Sequence, residues 1–155
     1  MSLTLTICPL VIAVSASVSG SAVGLLSQRI GGQEADLPPI QTCFADADLL
    51  VKTLREHGLT VRSLSETEFT VETEAGILHY FRRPDSETFW MDASGVRDIQ
   101  ALLDSLDSLE NEYGRNVQKF TYDRVLRGLT EHGMAVGREE ILEDDSILLT
   151  LTLDE

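Results

Sequence analysis

Residues 3–26 read LTLTICPLVIAVSASVSGSAVGLL, and none of them carries a charged side chain. The reading of this run decides the outline of the fold. About 20 apolar residues, rising ~1.5 Å each as a helix, cross a bilayer core of ~30 Å. Residues 1–30 are therefore expected to form an apolar helix that spans a membrane once. Pro9 falls near one end of the run, where a helix tolerates it. Arg29 follows the run and no basic side chain precedes it, which favours a cytoplasmic C-terminal domain. A secretory signal peptide fits less well. Ser19, Ser21 and Ala22 imitate a cleavage site, but the opening residues lack the basic side chains of such a leader.

The alternative is a cytoplasmic chain whose helix is buried in a soluble assembly. Ala16, Gly20 and Gly24 recur at spacings of four. On a helix they share one face, and their small size lets a second backbone approach closely. They are the expected helix-packing residues of a homo-oligomer or filament.

The composition changes after the run. Residues 31–39, with Gly31-Gly32 and Pro38-Pro39, read as a linker, and residues 40–155 as an acidic domain. Residues 40–45 suggest a short strand. Asp46 then offers an N-cap to a helix with Leu49, Leu50, Thr53 and Leu54 on one face. Residues 59–64, 68–73, 77–83 and 87–92 read as successive strands, with Ala75-Gly76 as a turn. In the last of these Phe89 and Met91 share one face and Trp90 takes the other. Ser94-Gly95 is expected to open an amphipathic helix through Val96, Ile99, Leu102, Leu103, Leu106 and Leu109, interrupted at Gly114. A further helix is expected over residues 121–132, then a hairpin of residues 134–142 and 146–153.

One pattern occurs twice. Leu49 to Val61 and Tyr122 to Val136 each read as a helix, then Glu-His-Gly, an apolar residue, any residue and Val. Each is followed by two predicted strands. The expected fold is α+β: an antiparallel sheet with helices on one face, built from two helix–hairpin repeats. Such a sheet leaves its other face or an edge free for a partner. His57 with Gly58, and His132 with Gly133, are expected as helix C-caps. Imidazolium suits a helix C-terminus, and glycine suits the left-handed residue that follows.

Of 155 residues, 26 are acidic and 12 basic, a net charge of −14. That balance argues against nucleic acid, since phosphate binding needs a basic patch and only Arg82-Arg83 hints at one. Cys8 and Cys43 form no disulfide framework and have no metal-ligand spacing. No nucleophile elbow, phosphate loop or dinucleotide fingerprint occurs. The remaining enzymatic option is a metal site formed if Glu56-His57 and Glu131-His132 converge. Repeated capping explains these residues more simply, so no catalytic residue, metal or cofactor is expected.

The stretch carrying Tyr122, Val125, Gly133, Met134, Val136, Glu140, Asp144, Asp145, Ile147, Leu149 and Leu151 resembles a known pattern. It is similar to the C-terminal part of a domain-of-unknown-function family, that of the hypothetical chloroplast open reading frame thirty-five and its bacterial relatives. Asp48-Leu49-Leu50, Leu54 and Gly58-Leu59 resemble the family's first helix. Tyr80-Phe81-Arg82-Arg83 and Phe89-Trp90-Met91-Asp92 resemble its middle strands. The resemblance covers about residues 40–153 and excludes the apolar N-terminus. It implies an accessory role beside an AAA-type ATPase, and no activity. The expected function is thus a non-enzymatic, membrane-attached accessory or adaptor protein whose acidic domain binds a protein partner.

Overall fold

The computed structural model describes residues 2–7 and 38–153. Its elements in chain order are β1 (Ser2–Ile7), β2 (Ile40–Gln41), α1 (Ala47–Glu56), β3 (Thr60–Ser65), β4 (Glu68–Thr73), β5 (Gly76–Arg82), β6 (Phe89–Val96), α2 (Ile99–Glu131), β7 (Met134–Ile141) and β8 (Ile147–Leu153). The class is α+β, as expected, but with two antiparallel sheets. One has five strands in the order β2-β6-β5-β4-β3, the other three in the order β1-β8-β7. The described residues fall into two compact units, 38–113 and 2–7 with 114–153.

In the first unit, α1 starts where Asp46 accepts a hydrogen bond from the Leu49 amide at 3.0 Å. This satisfies one of the amides that a helix start leaves unpaired. Leu50, Thr53 and Leu54 of α1 are buried, as are Leu102, Leu106, Leu109 and Tyr113 on the first half of α2. The sheet contributes the registered row Phe69, Tyr80, Met91 and Ile40, all buried. The core is largely aromatic: Phe69 stacks on Tyr80 with centroids 5.4 Å apart, and Phe44 meets Tyr113 edge-on at 4.8 Å. Such geometries add about 0.5–1.5 kcal/mol per pair to simple area burial.

In the second unit, Ile7, Leu129, Leu149 and Leu151 form the buried centre, with Leu5, Tyr122, Val125 and Leu126 packed against it. The second half of α2 thus supplies one wall and the three-stranded sheet the other.

Four expectations need correction. Residues 3–7 are strand, not the start of a helix. LTLTI alternates apolar and hydroxyl residues, and β1 pairs antiparallel with β8 from Ser2↔Thr152 to Ile7↔Ile147. Alternation suits a strand, and six registered residue pairs with β8 outweigh a helical preference that LTLTI barely has. The rest of the apolar run, including Ala16, Gly20 and Gly24, lies outside the described residues. Second, the repeated pattern does not build one sheet. Its first copy opens a meander that continues into β5 and β6, while its second stops at a hairpin whose free side is taken by β1. Third, the strand expected over residues 40–45 is only Ile40–Gln41; beyond it the Thr42 amide and hydroxyl both donate to the Phe89 carbonyl, at 2.9 and 2.7 Å. Fourth, Ser94-Gly95 ends a strand rather than opening a helix. Asp98 caps α2 instead, accepting from the Ala101 amide at 3.0 Å. Gly114 does not interrupt α2, which runs unbroken for 33 residues and takes in the stretch 121–131, expected as a separate helix. A helical glycine costs ~1 kcal/mol, less than the packing on either side of it supplies.

Candidate functional site

Strand periodicity sends alternate residues to opposite faces. The five-stranded sheet buries one face in the core. Its other face carries the registered row Glu68, Phe81, Trp90 and Gln41, and beside it the row Arg62, Thr70, His79 and Asp92. All of these side chains are half-exposed except Arg62, which is exposed.

The centre of this face is ordered by contacts among its own residues. The Arg83 guanidinium lies 3.7 Å from the centroid of the Trp90 ring and 6.0 Å from that of Phe81. Arginine stacked on an aromatic keeps its planar N–H edge available to a carboxylate while losing little freedom. The Trp90 indole donates to the Ser86 hydroxyl at 3.2 Å, and that hydroxyl donates to the Thr88 carbonyl at 2.9 Å. Trp90 is thereby held in place by hydrogen bonds within its own segment. His79 donates from Nε2 to the Glu68 carboxylate at 2.7 Å, and its ring lies 5.4 Å from Phe81. Arginine, tryptophan and other aromatics are the residues that dominate binding energy at protein interfaces. Here they form one cluster, rimmed by Gln41, Asp92 and Thr70.

Arg62 and Arg83 alternate with Glu68 and Asp92 on this face, so it offers no continuous cationic track for a phosphate backbone. It is a mixed-charge surface with aromatic rings at its centre.

The expected helix-end residues are at helix ends. His57 is the cap residue of α1 and Gly58 follows with φ 79°. The Leu59 amide donates to the Leu54 carbonyl and the Gly58 amide to the Arg55 carbonyl, both at 3.0 Å. These two bonds define a Schellman motif. At the end of α2, Gly133 has φ 68° and its amide donates to the Thr130 carbonyl at 3.3 Å. The histidines do not pair with their neighbouring glutamates. His57 donates from Nδ1 to Glu112 at 2.6 Å, whereas Glu56 meets Lys52 at 3.7 Å. Among the described residues, no group of three His, Cys, Asp or Glu side chains is placed to hold a metal ion.

Sequence reasoning placed Trp90 on the face opposite Phe89 and Met91 but missed the cluster around it. The available signal was Arg82-Arg83 following the aromatic pair Tyr80-Phe81, with the chain's single tryptophan on the adjoining strand. The chain matches no protein-family model, no curated protein and no solved structure.

Proposed function

We propose that this protein is a non-enzymatic accessory or adaptor module that binds a protein partner through the open face of its five-stranded sheet. The observation that carries this reading is the Arg83–Trp90 stack beside Phe81. It is a preorganised arginine–aromatic cluster on a half-exposed surface of an otherwise acidic chain. The partner suited to it presents a carboxylate to Arg83 and apolar surface to Trp90 and Phe81. An AAA-type ATPase is the partner that the family resemblance implies.

Membrane attachment belongs to the same proposal in altered form. Among the described residues no helix is long and apolar enough to cross a membrane. A single crossing by the remaining apolar run would leave β1 and β8 on opposite sides of the bilayer, against their pairing from Ser2↔Thr152 to Ile7↔Ile147. The proposal therefore keeps β1 and β8 on one side of the membrane.

The test uses full-length protein carrying a photo-crosslinking residue in place of Thr70, at the rim of the cluster. Crosslinked partners are compared between this protein and versions that also carry Trp90→Ala or Arg83→Ala. Truncating a central hot-spot residue costs about 2 kcal/mol or more, a loss of roughly 30-fold in affinity. Both variants are expected to lose the crosslinked species while retaining far-ultraviolet circular dichroism. Equal yields from all three proteins would refute the assignment.

A further inference from the structure

Among the described residues four strands end a sheet, β1 and β7 in one and β2 and β3 in the other. An open edge presents unpaired N–H and C=O groups to other strands, and charge, bulges or shortness commonly protect it. β2 is two residues long. β3 carries Arg62 and a register shift between Ser63 and Ser65. β7 carries Arg138, Glu139 and Glu140 and a shift between Val136 and Arg138. β1 has none of these devices. It runs six residues without a shift against β8. Its sequence SLTLTI holds no charged side chain, and its neighbour ILLTLTL holds none either.

Burial along β1 is graded. Leu3, Leu5 and Ile7 share the face that carries Leu149 and Leu151. Leu3 is 62% exposed, Leu5 is half-buried and Ile7 is only 6% exposed. At the Ile7 end, Gln118 of α2 donates to the Ile7 carbonyl at 3.3 Å. At the Leu3 end, a cavity of about 280 Å³ opens among Ser2, Leu3, Met134, Leu151 and Leu153. One end of the strand is covered and the other is bare.

A second copy supplies what the bare end lacks. Antiparallel pairing about a twofold axis sets each strand's bare end beside the covered end of the other. Directly opposite residues of a ladder share a face. A register that sets Leu3 against Leu5 or Ile7 of the second copy therefore merges the two apolar faces into one. Charge opposes this edge least. Residues 2–7 and 114–153 hold five basic and seven acidic side chains, a net of −2, whereas residues 38–113 hold six and fifteen, a net of −9. The near-neutral part of an acidic chain thus carries its one uncharged edge.

We propose that two copies of this chain associate by pairing β1 with β1 antiparallel, which joins two three-stranded sheets into one of six strands. The contact is isologous, so it closes at a dimer. It uses no residue of the open face of the five-stranded sheet and does not rest on the partner-binding reading.

The test is sedimentation velocity of full-length protein across a concentration series, with hydrogen exchange at its lowest and highest points. A monomer–dimer equilibrium is expected. Exchange at residues 2–7 should slow by about tenfold or more as the dimer forms, because each copy occupies the open ladder of the other. Leu3→Lys and Thr4→Lys each put a charge on the seam, one on either face, and should weaken the dimer by about tenfold or more. Both side chains are exposed in the single copy, so the thermal midpoints of the dilute variants should match wild type. Salt should strengthen the wild-type dimer, since it screens the repulsion of two chains of −14 and the seam holds no ion pair to lose. Trp90→Ala, on the open face, and Gly20→Leu, in the uncharged run, should leave the dimer unchanged. A monomer at every concentration, a dimer indifferent to both lysines, or one dissolved by salt would overturn the inference. So would a dimer lost through Trp90→Ala or Gly20→Leu, which would assign the contact to the open face or to the uncharged run.

Discussion

Tyr80 and Tyr113 are both buried, yet their hydroxyls have opposite circumstances. The Tyr113 oxygen accepts from the backbone amides of Ala45 and Asp46 at 3.0 and 3.1 Å, holding the entry to α1. The Tyr80 hydroxyl has no hydrogen-bond partner among the described residues. Tyr113→Phe orphans two donors and is expected to cost about 1–3 kcal/mol in denaturant unfolding. Tyr80→Phe removes an unsatisfied group without changing shape, so its stability should match or exceed wild type to within about 1 kcal/mol. The reverse order would mean that this partnering is misassigned. Near Tyr80, Cys43 is raised from 9.0 to about 12, by burial first and by the Glu110 carboxylate second. The native thiol therefore keeps its proton where the unfolded thiol has lost it. Between those values the native state binds more protons, so unfolding free energy should fall as pH rises from about 9 towards 12. Unfolding midpoints of wild type and Cys43→Ala across that range check the point: the alkaline slope should lessen in the variant. None of this was legible in the sequence, where Cys43 reads only as a cysteine without a disulfide or metal-ligand partner in a short strand.

At the scale of elements, the glycines after the helices separate two kinds of backbone constraint. Gly58 and Gly133 have positive φ, and a Cβ added to either meets nothing within 4 Å. Valine at either site should cost only the left-handed penalty of about 1–2 kcal/mol. Gly76 is different. With φ 138°, a Cβ there would run into the Gly95 carbonyl oxygen and approach Val96 Cα at 2.9 Å. Gly76→Ala should therefore cost more than either valine, above about 3 kcal/mol, because backbone atoms of β6 cannot yield as side chains do. Thermal or chemical denaturation of the three variants gives the ranking directly. The helix ends were readable from Glu-His-Gly because capping is local chemistry. The partner of His57 was not, since Glu112 lies 55 positions away and nothing in the neighbouring residues points to it.

For the whole molecule, the decisive contact joins the two ends of the chain. Leu5 is registered with Leu149 and Leu3 with Leu151, so removing residues 1–7 strips β8 of one neighbour. Hydrogen exchange should then quicken at residues 147–153, while residues 38–113, whose core contains no part of β1, keep their protection. Unchanged exchange in β8 would deny the pairing. Reporter tags at the two termini, probed by protease on intact vesicles, should be cut or spared together, because the proposed topology keeps both on one side of any membrane. Opposite accessibility would restore a single crossing.

What the sequence determined by itself was mostly local. The β4–β5 and β7–β8 turns, the caps at Asp46, Gly58 and Gly133, and the split of Phe89 and Met91 from Trp90 depend on residues within a turn or two of each other. Only the tertiary structure decided which strands share a sheet, that α2 starts after Asp98, and that it runs on through Gly114. Thr4 and Thr6 sit in an uncharged run that reads as helix by its length, and the short alternation LTLTI becomes a strand only because ILLTLTL, more than a hundred residues later, supplies its edge. The same holds at Gly114, whose cost of ~1 kcal/mol is visible locally while the burial that outweighs it is not. It also holds on the open face, where Arg83 reaches Trp90 only because β5 and β6 are adjacent. Propensity and capping are summed along the chain. Pairing and stacking are settled by which surfaces meet after it has folded.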